Sequence, residues 1–289
     1  MLKNSLFALL LFSLTAVAQP TEQSLQVLGN AYLLPENKMY ADSLAEVFAD
    51  SLWEFISIEE NYDASLNSIR NLSVQRPSDG NFVLYTWAIP LADGNFSFHG
   101  FLWSKKWQGK KRLVLEDYGT QDAAYRWLKG GQWVGGICYD IITKKEKGRK
   151  VYTLLTFRPG RSYHTKYIDA LELGNSSKQV HFGSRIFNIR SNGDERYGQR
   201  PYRIQFRYNS AITASVRWDV KHAGIICDHL APSKEGLKER WFAYGPDFSY
   251  DRIFWARRKW QIEVDYNLIQ SIDTAPTNSR VPTKLDPKR

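Results

Sequence analysis

The chain has 289 residues, of which 43% are hydrophobic and 14% aromatic, including 10 Trp, 16 Tyr and 15 Phe. That composition excludes an intrinsically disordered chain, because it supplies enough apolar surface to offset the entropy lost on folding. Lys and Arg number 39 against 30 acids, a net charge of +9. The charge is spread along the chain rather than gathered in one run. This argues against nucleic acid as a partner and leaves a solvated basic surface or an anionic glycan or envelope component.

The N-terminus opens with Lys3, then the apolar run from Leu6 to Leu14, then Ala16-Val17-Ala18. A short positive start, an apolar core and small residues at the two cleavage positions predict a secretory signal peptide over residues 1–18. The run is too short to anchor the chain across a bilayer, and no second run of that kind follows. The expected location is therefore periplasmic or extracellular, with no transmembrane anchor.

Residues 19–36 read as a loosely ordered lead-in ending at Pro35. Residues 37–270 are then expected to form one β-rich domain that begins with a helix. Over 38–58, Tyr40, Leu44, Val47, Phe48, Leu52, Phe55 and Ile56 recur at three- and four-residue steps, the period of an amphipathic helix. Asp42, Glu46, Asp50 and Glu54 form an acidic stripe on the same helix, either solvated or packed near arginines.

From Asn81 the period changes to two. Strands are predicted over 82–89, 96–103 and 112–117. The clearest hairpin runs from 132–143 through the charged connector 144–150 to 151–157. Further strands are expected at 167–173, 184–189, 202–208, 213–220, 224–230, 239–244, 253–257 and 260–266. This succession predicts a mainly β fold, an antiparallel meander of sandwich or barrel type with one packed N-terminal helix. The alternative is an α+β fold. Residues 271–289 carry three prolines and no apolar period, and read as a disordered tail.

No catalytic, metal or cofactor motif is recognisable. The five histidines lack metal-ligand spacing, no glycine-rich run cradles phosphate and no serine sits in a nucleophile elbow. Three polar residues on apolar strands, Asp140, Asp228 and His229, are weak candidates for chemistry. Asp228 and His229 are sequence neighbours, so an extended strand would point them to opposite faces. Cys138 and Cys227 each lie in an apolar strand-like segment. An exported protein could join them in a disulfide, and two buried free thiols fit the same setting.

The segment 202–208 alternates Tyr202, Ile204, Phe206 and Tyr208 with Arg203, Gln205 and Arg207. One face reads as core and the other as a cationic surface, to which Arg217 would add from a neighbouring strand. Arg203, Arg207 and Arg217 are thus the candidate ligand-binding residues, with an acidic glycan as the matching ligand.

Several segments, among them Leu84-Tyr85-Thr86-Trp87, the run from Phe96 to Leu102, the run from Cys227 to Pro232 and the run from Tyr244 to Asp251, resemble a family of uncharacterised secreted proteins of Bacteroidota-type bacteria. The resemblance covers most of residues 80–265. It implies export and a consistent fold, and it assigns no activity, cofactor or catalytic residue. Two functions follow from the whole reading. The first is an exported, non-enzymatic β-rich protein that binds a glycan or an envelope partner. The second is a secreted polysaccharide hydrolase using two carboxylates brought together by the fold. Oligomeric state is left open.

Overall fold

Residues 19–36, expected to be loose, contain a helix, α1 (Glu22–Ala31), in the computed structural model, which describes residues 19–104, 106–107, 112–189 and 201–268. Thr21 and Ser24 form its reciprocal N-terminal cap: Thr21 Oγ1 accepts from the Ser24 N–H at 3.1 Å and Ser24 Oγ from the Thr21 N–H at 2.9 Å. Leu25, Gly29 and Tyr32 are buried on its inner side. A Cβ on Gly29 would lie 2.6 Å from Ile69 Cγ2, so only glycine lets α1 settle this closely. The predicted signal peptide and the predicted tail over 271–289 lie outside the described residues.

A 3-10 turn, Pro35–Tyr40, leads into α2 (Ala41–Ile56), shorter at both ends than the helix read over 38–58. Leu44, Phe48, Leu52, Phe55 and Ile56 are buried as their spacing predicts, whereas Tyr40 and Val47 are exposed. The acidic stripe does meet an arginine: Arg112 pairs with Asp50 at 2.6 Å and donates to the Ala49 carbonyl at 2.9 Å.

The rest of the fold is mainly β. The first sheet joins β1 (Leu72–Gln75), β2 (Val83–Pro90), β3 (Phe96–Trp103) and β4 (Arg112–Val114) in sequence order, every pairing antiparallel. Three short strands follow, β5 (Glu116–Asp117), β6 (Leu128–Lys129) and β7 (Gln132–Trp133), of which β5 and β7 pair in parallel. A central sheet contains β8 (Ile137–Glu146), β9 (Arg149–Arg158), β10 (Tyr163–Leu173), β11 (Val180–Phe182) and β12 (Ile204–Asn209). Its order is β6-β11-β10-β9-β8, and β12 shares one edge of β10 with β11. A distal sheet consists of β13 (Val216–Asp219), β14 (Gly224–Pro232), β15 (Tyr244–Ala256) and β16 (Lys259–Glu263).

These sheets stack, so the sandwich form of the expectation holds rather than the barrel. Strand β2 shows why. Its run is apolar at nearly every position, and it is buried from Val83 to Ile89, so both faces must be covered. Val83, Tyr85, Trp87 and Ile89 meet the two helices, while Leu84 and Ala88 meet the central sheet. The central sheet repeats the pattern. Tyr152, Leu154, Tyr167 and Leu171 face the first sheet, while Val151, Leu155, Ile168 and Ala170 face the distal one. The order is thus helices, first sheet, central sheet, distal sheet, with an apolar layer in each gap. Each large side chain so enclosed contributes about 1.5–3 kcal/mol. Trp260 Nε1 donates to Thr153 Oγ1 at 2.9 Å, tying the distal sheet to the central one.

The stacking settles the cysteines: both are free and buried. Cys138 lies in the layer between first and central sheets and Cys227 in the layer between central and distal sheets. The central sheet stands between them, and packed sheets are about 10 Å apart, far beyond the reach of a disulfide. Burial pushes the Cys138 thiol up to about 12 and raises Cys227 as well.

Three strand readings are corrected. Residues 239–243 form no strand: Trp241–Ala243 is a 3-10 turn, and β15 begins at Tyr244. Residues 184–189 form no strand; Phe187 makes a single bridge to Trp260. The connector 144–150 is mostly strand, and only Lys147 and Gly148 turn, at φ +49° and +82°. Two consecutive positive φ values match the tight hairpin turn whose twist suits its strands.

Candidate functional site

The three arginines expected to share a cationic surface are dispersed. Strand β12 pairs with β10, not with β13, so Arg217 has no place beside the other two. Its neighbour Val216 is buried against the central sheet, which leaves Arg217 on the outer face, paired with Asp219 at 2.7 Å. Arg207 is half-buried with its guanidinium 5.3 Å from the Trp241 ring. Arg203 is fully enclosed. Its Nε lies 3.0 Å from Asp169 Oδ2, and its Nη1 donates to the Arg126 carbonyl at 2.9 Å and to the Ala123 carbonyl. The alternation along 202–208 is real, but β12 is half-covered along its length and Tyr208 is buried. Arg203 enters the layer below, where Asp169 offsets its charge.

The other polar candidates also part company. Asp140 is half-buried, and its carboxylate accepts from the following Ile141 N–H at 2.8 Å; burial raises its carboxyl despite that bond. Asp228 accepts from the Ser215 N–H at 2.7 Å. His229 turns away from it and places Nδ1 2.9 Å from Asp251 Oδ2. Asp251 lies directly opposite Cys227 on β15, and nothing in the local sequence announces the pairing. Burial pulls the His229 pKa down, but the Asp251 bond and charge, with Asp247 and Asp265, outweigh it and the net shift is upward.

A different site lies at one end of the central sheet. A groove of about 510 Å³ is lined by Asn81, Lys106, Arg149, Lys150, Val151, Tyr152, Glu172, Leu173, Gly174, Asn175, Gln179 and His181. These residues come from adjacent β9, β10 and β11, from the turn after β10, and from the segments before β2 and after β3 of the first sheet. Two interstrand steps make its width about 10 Å.

One wall is a connected polar network. The turn before β2 places Asp79 and Asn81 over the start of β9, with Gly80 at φ +62°. Lys150 pairs with Asp79 at 2.7 Å. The Asn81 amide donates to Asp79 Oδ2 at 2.7 Å and to the Tyr152 hydroxyl at 2.6 Å, and that hydroxyl donates to Asp79 Oδ2 at 3.1 Å. Burial alone would raise the Asp79 carboxyl; Lys150, Asn81 and Tyr152 together hold it below the usual carboxylate range. Burial pushes Tyr152 up to about 12. The Lys106 ammonium rests on the Asn81 side-chain oxygen and has no carboxylate partner among the described residues.

The opposite wall carries His181, whose ring lies tilted by 35° against Trp127 at a centroid separation of 4.5 Å, and Lys129 sits 5.1 Å from the Trp127 ring centre. Trp127 is 43% exposed, uncommon for a tryptophan in a chain that buries most of its large rings. Chemically the groove combines amides and a hydroxyl for hydrogen bonding, an aromatic flank, and three cations, of which Lys150 is paired with Asp79 and Arg149 with Glu172 at 4.0 Å. The sequence signal was faint: a basic connector at 144–150 and an Asp-Gly-Asn turn, neither linked to the other until folded.

Among the described residues no cluster of His, Cys, Asp and Glu is arranged to hold a metal ion, and no helix is long and apolar enough to cross a membrane. The fold and the groove define a layered, mainly β protein with a polar, cation-rich cleft. No family model, curated protein or solved structure matches the chain.

Proposed function

We propose that the chain is an exported protein that binds an acidic glycan in the groove beside Lys106. Export rests on the signal-peptide pattern of residues 1–18 and on the resemblance to secreted proteins. The observation that carries the binding reading is the charge of the groove. Of its three cations, Lys150 is paired with Asp79 and Arg149 with Glu172, while Lys106 rests on an amide oxygen and has no carboxylate partner among the described residues. Amide and hydroxyl groups suit sugar hydroxyls, and the His181 ring in the lining, backed by the exposed Trp127, adds a flat surface of the kind a sugar ring packs on. Glu172 lines the groove beside Arg149, and Asp79 in its wall is taken up by Lys150, Asn81 and Tyr152, whereas hydrolysis by paired acids needs two carboxyl groups free to face the substrate; this ranks binding above the hydrolase reading.

Retention on immobilised heparin, compared between Lys106→Gln and Arg217→Gln, tests the proposal. Both variants lose one charge from a chain of net +9, so general electrostatics falls equally. Lys106→Gln is expected to elute at clearly lower salt than Arg217→Gln. Equal elution of the two would remove the groove from the function.

A further inference from the structure

The distal sheet carries a second groove, of about 560 Å³, unlike the first in character. Its lining is mostly apolar, with Ile212, Pro232, Leu237, Phe242, Tyr244 and Pro246 prominent, and Asp247 is the one charged residue among the side chains that line it. Ile212 and Phe242 are 40% and 52% exposed. Large apolar side chains left open in a concave surface of this volume are the usual setting of a small-molecule site.

Asp247 is placed there by an irregularity in the sheet. Asp228 pairs with Tyr250 and Leu230 with Pro246, so residues 247–249 bulge opposite His229 alone. Phe248 turns the bulge at φ +72°, a conformation costly for a bulky residue and one that strands adopt only where pairing is interrupted. Within the bulge, Asp247 Oδ1 accepts from the Ser249 N–H at 3.0 Å and from the Ser249 hydroxyl at 2.8 Å. Burial works against the charge, yet the Ser249 bonds and His229 hold the carboxyl below its usual range. Oδ2 carries no hydrogen bond among the described residues. The carboxylate is thus oriented by one oxygen and open at the other. Nearby, the Arg207 guanidinium already rests on the Trp241 ring, which lies tilted against Tyr244 with ring centres 4.9 Å apart. A cation over these aromatic groups is therefore an arrangement this region already uses.

We propose that this groove is a second binding site, for a small organic ammonium compound with an aromatic body. The apolar walls take the ring, and Asp247 Oδ2 takes the ammonium. The argument is charge complementarity: one oriented carboxylate in an apolar groove selects a single positive charge on an apolar frame and rejects an anion of the same shape. This site is independent of the cation-rich groove, whose preference is the reverse.

Three probes of similar shape test it: 2-phenylethylamine, 2-phenylethanol and 3-phenylpropionate, titrated into the mature chain by ligand-observed NMR. The amine is expected to bind saturably, the alcohol a few-fold more weakly and the carboxylate not at all. Asp247→Asn should weaken the amine up to about fivefold, the scale of an exposed ion pair, without changing the alcohol. Phe242→Ala should weaken both, and Lys106→Gln neither, with circular dichroism confirming that each variant folds. Absence of saturable binding, amine binding no tighter than alcohol binding, or indifference to Asp247→Asn would overturn the proposal. Concentration-dependent dimerisation abolished by Phe242→Ala would assign the groove to a second copy of the chain and overturn it equally.

Discussion

Arg203 and Asp169 meet 3.0 Å apart with no exposure of the arginine side chain and 2% of the aspartate's. The pair joins β10 to the segment leading into β12, and its arginine also holds the carbonyls of Ala123 and Arg126. Burial raises the Asp169 carboxyl, with Arg203 opposing, so neither charge would be tolerated there alone. Removing one partner is expected to cost about 3–5 kcal/mol, because it strands the other in an apolar layer. Arg203→Met and Asp169→Leu together should recover much of that loss. Urea denaturation of the two single variants and the double variant checks this. Near-additive losses would show that the two residues act separately.

How much of this was legible beforehand depends on what each residue needs as a partner. The face of α2 around Phe48 was readable because a helix repeats its own period. Strands β2 and β9 were readable because their apolar runs are local. Arg203 was not. Its alternation with Tyr202 and Ile204 is that of a half-solvated strand, and the residue that overturns this, Asp169, lies on a strand met earlier in the chain. The same holds for His229 and Asp251, and for Lys106 and Asn81. Helix α1 was missed for another reason: Thr21 and Ser24 supply its cap, but Leu25, Leu28 and Tyr32 are too few to announce a period among polar neighbours.

The helix layer should respond asymmetrically to truncation. Phe48 is fully buried, with ring contacts to Tyr32 and Trp87 at 5.8 and 5.5 Å. Phe48→Ala is expected to cost roughly 3–5 kcal/mol through lost burial and a residual cavity. Asp50→Ala loses an exposed pair with Arg112, worth at most about 1 kcal/mol. Chemical denaturation of both variants measures the contrast.

His229 ties stability to pH. Its folded pKa lies above its unfolded value, so its contribution is fully present below the unfolded value near 6.5. That contribution is lost as pH rises through the higher folded value. Between pH 6 and pH 8 the natural chain should lose more thermal stability than His229→Gln does. Parallel melting curves across that range would show that the Asp251 contact holds no proton.

The two thiols should be silent in the folded protein. Buried in separate layers, with both pKa values raised, Cys138 and Cys227 should not react with a chromogenic disulfide reagent at neutral pH. In denaturant, both should react. Addition of a reductant should leave the melting temperature unchanged. A fall in melting temperature on reduction would contradict the free-thiol state.

The layered order also governs where this protein can change over evolutionary time. A sheet enclosed on both faces offers almost no position at which a new polar side chain can be introduced without displacing packed neighbours. Substitutions there are filtered by volume, and innovation is driven to the rim. Both grooves open at that rim, built largely from turns, strand ends and an irregular bulge, with Val151 and Tyr152 of the enclosed layers at the floor of the first. Homologues of this architecture should therefore share their interior closely while diverging at residues 79–81, 106, 174–181 and 242–249, and a family could acquire different specificities on one unaltered scaffold.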